Sequence, residues 1–427
     1  YHATSVLADA IAKGADIDKE EALKAMVTTS KVGYLDGISE YLKYGYVPFD
    51  VSTTAASTTL EYCYDDWTIY QTALNSGNER LAEEYLQRAL NYRKLYDPEI
   101  GFARPRLRNG DFKPEFDVLQ THGEGFIEGN SFNFSFHVPH DVLGVMKLMG
   151  GEKEFLRKLD ELFGMHLPKK YYEANEDITE DCLIGGYVHG NEPSHHIPYL
   201  YAWTSQPWKT QYWVREVMNK MYKNHIRGLG GNDDCGQMSA WYIFSAMGFY
   251  PVCPGSNEFA LTTPVFEQVD LKLANGKTLT VTANNPDKNI YIDAVAFNGQ
   301  PIEKNYITYE QLMQGGTLAF TLTDEPNMNR GISDEAAPYS ATEGKWVSIP
   351  YVSQDLHLFE GVTEVTLSTT TEGAKIYFTF NGEEPDEMSF EFTQRKMEDV
   401  AYSEDNSFSA GYVWYNDDLE ITKIVYY

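Results

Sequence analysis

Cysteine is scarce in this sequence. Cys63, Cys182, Cys235 and Cys253 stand far apart with no CxxC pair, which argues against a disulfide framework and a thiolate zinc site and leaves free thiols as the expectation. Basic residues are also few, 34 Lys and Arg against 63 Asp and Glu, for a net charge of −29. Such a surface repels nucleic acid and anionic lipid and disfavours a phosphate-rich polymer as substrate. No apolar run approaches the roughly eighteen residues of a membrane span. A charged-then-apolar leader is absent as well. The chain opens on helical periodicity, with Val6, Leu7, Ile11 and Ala12 on one face before Gly14. The expectation is therefore an N-terminus cut inside a larger protein, with any targeting signal upstream.

What is abundant is acid and aromatic surface. The negative charge suits a neutral substrate and a site that collects a hard cation, and equally a chain kept dissolved outside the cytoplasm. Aromatic residues make up 14%, with 31 Tyr and 7 Trp; the C–H face of a sugar ring stacks on such rings, although by itself this is a weak signal.

From residue 1 to about 250 the pattern predicts helix after helix: 4–13, 18–32, 35–44, 54–75, 78–95, 138–149, 152–164, 195–205, 207–223 and 236–247. Asp18 with Glu21, and Asn78 ahead of ERLAEEYLQ, read as helix starts. The Gly-, Pro- and Arg-rich stretch 96–135 is long enough for a loop to suggest function. Near 250 the texture turns to period two. VDLKLANGKTLTVTANN reads as two strands around Ala-Asn-Gly-Lys, and IYIDAVAFNG and GGTLAFTLT continue the strands. The expected organisation is mainly α with appended β: helical domain 1–250, β-rich extension 251–335, and a C-terminal β-sandwich module 346–427. With no coiled-coil heptad, some ten helices point to paired helices in a toroid rather than a bundle.

Three polar segments interrupt the helices. In HGEGFIEGNSFNFSFHVPHD, Glu128 stands among Phe126, Phe132, Phe134 and Phe136. A carboxyl desolvated by aromatic rings holds its proton longer, as a general acid must; the competing reading is a cap or an Arg partner. In GGYVHGNEPSHH, Asn191 and Glu192 offer hard oxygens suited to Ca²⁺ rather than Zn²⁺, against a simple turn network. In LGGNDDCGQMSAWYIF, Asp233 and Asp234 precede a helix whose N-terminus favours anions, against plain N-capping by Asp234. Together the segments supply an acid, a metal clamp and a base in the order that inverting glycoside hydrolysis needs.

EGNSFNFSFHVPHDV, GYVHGNEPSHHIPYLYAWTSQPWKTQ and GGNDDCGQMSAWYIFSAMGFYPVCPGS resemble the signature blocks of glycoside hydrolase family 92, with GYVPFD, EYCYDDWTIYQTA and LYDPEIGFARPRL in support. The resemblance covers roughly residues 1–330. It implies an inverting, Ca²⁺-dependent exo-α-mannosidase acting on mannose-containing glycans such as N-glycans, in a secreted, periplasmic or cell-surface setting. It also implies an (α/α)6 toroid paired with an N-terminal β-sandwich. That sandwich and the first barrel helices are not in this sequence, so the toroid is expected to be incomplete unless a companion segment closes it. Position by position, the resemblance implies Glu128 as general acid, Asp234 as general base with Asp233 beside it, and Asn191 and Glu192 as calcium ligands. His189, His195 and Asn232 are implied to line the substrate pocket. Some members carry Asp where this chain has Asn232, which places the burden of base on Asp234. The two catalytic carboxyls are expected about 6.5–9.5 Å apart. The readings from other classes are a non-catalytic mannose-binding fragment and another toroidal sugar enzyme, which the HGNEPSHH and NDD blocks disfavour. GAKIYFTFNGEEPDEMS resembles the small β-sandwich of chitobiase-like enzymes, through Tyr377, Thr379, Asn381, Gly382 and Pro385.

Overall fold

The computed structural model describes residues 1–173 and 183–342, and beyond these the backbone of short strands between 351 and 425. Its helices are α1 (Ala3–Ala12), α2 (Lys19–Thr29), α3 (Ile38–Tyr44), α4 (Ala55–Asn75), α5 (Glu79–Ala89), α6 (Ser131–Phe134), α7 (Val142–Leu148), α8 (Glu152–Gly164), α9 (Trp208–Met221), α10 (Gln237–Met247) and α11 (Tyr309–Gln314). Asp18 starts α2 by accepting from the backbone N–H of Glu20 and Glu21, and Asn78 starts α5 by accepting from Leu81, as capping predicts. α4 is the central helix. It is apolar or small on nearly every side, with Leu60, Cys63, Trp67, Ile69 and Ala73 fully buried, because α1, α2 and α5 all pack on it. α8 is more one-sided, burying Phe155, Leu156, Lys158, Leu159, Leu162 and Phe163.

The helix expected at 35–44 begins at Ile38, and the one expected at 78–95 turns into a 3₁₀ segment, Leu90–Leu95, after Ala89; two others differ more. The one read at 138–149 starts at 142, since Pro139 lies in the preceding turn and Asp141 caps the helix by accepting from Gly144. The one read at 195–205 is a 3₁₀ segment, Ile197–Trp203, with Pro198 in its first turn and every residue buried. Its side chains bond in different directions: Tyr199 to Ser245, Tyr201 to Asp160, Trp203 to the Tyr339 carbonyl.

The strands are β1 (Tyr96–Asp97), β2 (Phe102–Ala103), β3 (Leu183–Ile184), β4 (Tyr187–Val188), β5 (Phe249–Tyr250), β6 (Glu258–Leu261), β7 (Gln268–Lys272), β8 (Thr278–Ala283), β9 (Tyr291–Phe297), β10 (Gln300–Pro301), β11 (Tyr306–Thr308) and β12 (Gly316–Thr323). β7 and β8 pair antiparallel around the expected turn, where Gly276 takes φ +81°. The main sheet runs β10-β9-β12-β8-β7, with β12 parallel to β8 and antiparallel to β9. β6 joins two cores by the period-two rule: Phe259 and Leu261 enter the β core, while Ala260 enters the helical one. Further along lie β13 (Tyr351–Val352), β14 (Leu367–Ser368), β15 (Lys375–Phe378), β16 (Phe390–Glu391), β17 (Gly411–Tyr415) and β18 (Thr422–Val425); the last four form a sheet ordered β16-β15-β17-β18. The turn residues Asn381, Gly382 and Pro385, and Cys182, lie outside the described residues. The other three cysteines are free thiols. No described helix is long and apolar enough to cross a membrane.

Candidate active site

The 96–135 stretch divides its labour. Its arginines hold carbonyls within it and just before it: Arg104 donates to Lys113 O at 2.7 Å, and Arg106 to Gly110 O and to Lys94 O. That part is scaffold. Its far end is moored to the N-terminus of α4, where Gly125 O accepts from the N–H of Ala56 and Ser57, and Ser57 Oγ accepts from Ile127 N–H. The mooring brings up Glu128, which is exposed and held at φ +53°. The phenylalanines expected to desolvate it do not do so: Phe126, Phe132, Phe134 and Phe136 are core residues, none more than 4% exposed. They form the floor that carries the Glu128 turn, and Gly129 presses so closely on Phe134 that a Cβ there would come within 2.8 Å of the ring.

The short β3–β4 hairpin delivers the second segment. Asn191 is buried and donates through Nδ2 to Glu128 O at 2.8 Å, which turns its Oδ1 the opposite way. Glu192 opens a one-turn 3₁₀ segment, and its Oε1 is buried without meeting a hydrogen-bond donor. Its pKa is raised, first by burial, then by the negative charge of Asp234 and a side-chain hydrogen bond shared with it, and last by the charge of Glu128. The third segment rests directly on the second: Gly231 lies so close to Gly190 that a Cβ would come within 2.5 Å of the Gly190 Cα. Asp234, Cys235 and Gly236 then take positive φ in succession, +42°, +57° and +96°, and this turn leaves Asp234 exposed.

Gly236 is the N-cap of α10 and brings no side-chain cap; the carboxylate that reaches the first turn of the helix is that of Asp233 rather than Asp234. Asp233 Oδ1 accepts from both the N–H and the Oγ of Ser239, at 3.0 and 2.9 Å. One oxygen of Asp233 is thus engaged at the start of α10, whereas Asp234 uses only its backbone carbonyl there, accepting from Gln237. Asn232 is exposed beside it. His189 and His195 lie beneath this surface. His189 is fully buried, with Nδ1 bonded to Tyr187 OH at 2.8 Å and Nε2 to Tyr222 OH at 2.7 Å. Burial pushes its pKa well below the usual range, with His195 adding to the effect. His195 contacts His189 O and Gln237, and burial lowers its pKa to about 4. In this arrangement the two imidazoles support the turn from inside, as neutral rings, and neither faces the open side.

Glu128, Glu192 and Asp234 therefore gather from three segments separated by whole helices. Like-charged carboxyls at close range favour keeping a proton among them. The donors also fit a hard cation: an Asn amide oxygen fixed by its own N–H, and a carboxylate oxygen buried with no donor to satisfy it. Among the described residues no three His, Cys, Asp or Glu side chains group as a metal site by themselves, so further oxygens would have to come from backbone, water or substrate. Two residues at the site carry no sequence signal. His137 reaches Pro193 O, next to Glu192, and Glu61 pairs with His137; their separation of 76 positions offers no local pattern to read.

The glycosyl hydrolase family 92 catalytic domain matches residues 1–324. A family GH92 alpha-mannosidase from Bacteroides thetaiotaomicron, solved in complex with mannoimidazole, is 41% identical, with a TM-score of 0.76 over 80% of this chain and 45% of its own. An inverting mannosidase of the family from the same organism is 39% identical, with a TM-score of 0.73 over 80% of this chain and 48% of its own. An uncharacterized secreted glycosidase of Arthroderma benhamiae is 29% identical over 76% of this chain and 45% of its own length. The chain spans a little under half the length of each of these three relatives. It belongs to glycosyl hydrolase family 92.

Proposed function

We propose that this chain carries the catalytic loops of a Ca²⁺-dependent exo-α-mannosidase that removes terminal mannose from glycans with inversion. The observation that carries the reading is the meeting of Glu128, Glu192 and Asp234 from three separate segments, with Asn191 tying the acid turn to the metal turn. The relatives named as alpha-mannosidase and inverting mannosidase support the substrate and the stereochemistry, and the relative named as secreted supports a site of action outside the cytoplasm.

Asp234, exposed and with its carboxylate free of capping duty, takes a proton from the attacking water. Glu128, across the site, gives a proton to the departing glycosidic oxygen. Asn191 and Glu192 would hold the cation, which supplies charge stabilisation and orientation to the sugar hydroxyls. His189 and His195 keep the turn in place from below. The helices form part of an (α/α)6 toroid, and strands β15 to β18 belong to an accessory β-module.

The test is hydrolysis of an aryl α-mannoside followed by NMR. Release of β-mannose, abolished by EDTA and restored by Ca²⁺, supports the reading; release of α-mannose or indifference to EDTA defeats it. A second reading, a fragment that binds mannose and calcium without turnover, is favoured by the chain's span of less than half of its relatives. Calcium-dependent mannose binding with no product would select it.

A further inference from the structure

His137 sits where three elements meet. It belongs to the acid segment, its Nδ1 lies 3.1 Å from Pro193 O in the metal segment, and its Nε2 lies 2.9 Å from Glu61 Oε1 on α4. A carbonyl can only accept, so Nδ1 carries a proton and donates. On the other side Nε2 lies at ion-pair distance from the Glu61 carboxylate without an aligned hydrogen bond, and the carboxylate favours the charged ring. The imidazole is wedged in place: Phe134 meets it edge-on at 6.0 Å, and His196 edge-on at 5.5 Å. His196 is itself bonded to Phe136 O.

This link adjoins Glu192, one residue before Pro193, which holds a buried oxygen without a donor. Asn191 fixes the turn on one side, through Glu128 O. On the other side the turn is held through the Pro193 carbonyl, which accepts from His137.

We infer that the Glu61–His137 pair is a positioning brace for the calcium-binding turn Asn191–Glu192, setting the affinity for the cation without touching it. The inference rests on the calcium reading of the proposed function. Outer partners that orient metal ligands commonly change affinity 10–100-fold when removed.

The test is calorimetric titration of Ca²⁺ into the metal-stripped 427-residue chain. His137→Phe keeps the ring contacts and removes both polar links; it is expected to weaken Ca²⁺ binding about 10–100-fold. Glu61→Gln keeps shape and loses charge, and a smaller loss in the same direction is expected. His2→Ala, which removes a ring 3.7 Å from the other Glu61 oxygen, is expected to leave affinity within about twofold. In EDTA, His137→Phe and Glu61→Gln should unfold at a lower temperature than the parent, since each breaks a largely buried ion pair, so affinities are compared below the unfolding range of every variant. If the unaltered chain takes up Ca²⁺ and folded His137→Phe binds it equally well, the brace is refuted and the calcium site stands. Should His137→Phe fail to fold, Glu61→Gln decides: undiminished affinity refutes the brace. If His2→Ala loses as much as His137→Phe, the effect is not the brace's. No Ca²⁺ uptake by the unaltered chain overturns the calcium reading, and the brace with it.

Discussion

Six non-glycine residues in the described chain take a positive φ: Glu115, Glu128, Asp234, Cys235, Asn285 and Asn298. Asparagine enters this region readily in turns, and aspartate less often. Glutamate and cysteine seldom do, and Glu128, Asp234 and Cys235 all belong to the candidate site. Each left-handed residue costs on the order of 1 kcal/mol, and such strain persists where neighbouring structure imposes it. Here α4 and the Phe floor impose it on Glu128, and the Gly190–Gly231 contact with the start of α10 imposes it on Asp234. The two carboxyls are therefore held out of the surface by their backbones. The acid and base roles proposed for them separate by leaving group. Glu128→Gln should reduce turnover of natural mannosides by roughly 10²–10⁴-fold, but much less with a dinitrophenyl leaving group that needs no proton. Asp234→Asn should reduce both alike, since the water must be activated in either case. Equal losses for both variants on both substrates would remove the acid assignment.

At the scale of elements, the site depends on loops that touch through glycine. Gly231 faces the Gly190 backbone, and no side chain fits between them. Gly231→Ala should push the Asp234 loop away from the Asn191–Glu192 turn and lower kcat/KM at least about tenfold, with a thermal midpoint close to the parent's; kinetics and a melting curve on the same sample check this. Asp233→Ala should act differently. It removes the carboxylate that reaches the first turn of α10 and should cost about 0.5–2 kcal/mol of stability, read from urea unfolding. Much of this level is legible in the sequence. Asp18 and Asn78 announce their helices because capping is local chemistry, and Ala-Asn-Gly-Lys announces the β7–β8 turn because few residues accept positive φ. The acid, metal and base segments are legible as polar interruptions between helices. Their meeting is not, since it depends on contacts such as Asn191 to Glu128 O, 63 positions apart. The Phe cage expected around Glu128 fails for a related reason: sequence neighbours point in different directions, and the rings turn into the core while the carboxyl turns out. Likewise Asp233 and Asp234 look equivalent in the sequence, and only the turn decides which of them reaches the helix.

Across the whole molecule, buried charge ties the β unit back to the helices. Asp141 is fully buried and accepts from Tyr92, Ser340 and Thr342, with Arg93 at 3.5 Å. Burial alone would raise its pKa, but Arg93 and these hydroxyls hold it below the usual range. Its share of stability is therefore present at neutral pH and is lost only as pH falls through the depressed value. Asp141→Ala leaves Arg93 without its carboxylate and should cost about 3–5 kcal/mol, seen as a lower urea midpoint. Milder acid acts first on other groups. Burial lowers His140 and His195 to about 4, His196 to about 3, and His189 well below its ordinary value. Below pH ~6.5 the unfolded chain binds protons that these rings refuse, so stability must fall as pH drops from ~6.5 toward 4. Each ring contributes up to about 1.4 kcal/mol per pH unit. Asp65, Asp66, Glu192 and Glu258, raised by burial, oppose this by taking up protons in the folded state, Asp66 at about 6. His137, whose pKa Glu61 raises against the effect of burial, adds stability that is complete below ~6.5 and is lost at higher pH. The acid loss should thus begin near pH 6.5, where the unfolded imidazoles are half protonated, and steepen toward pH 5.5, because four rings outweigh the one proton that Asp66 takes up at about 6. Urea midpoints at half-unit steps from pH 7.5 to 4.5 would reveal it, and His140→Gln, which can still donate to Ala89 O, should flatten the slope by about one proton. A flat profile between pH 6.5 and 5.5 would mean that the buried imidazoles are not held neutral.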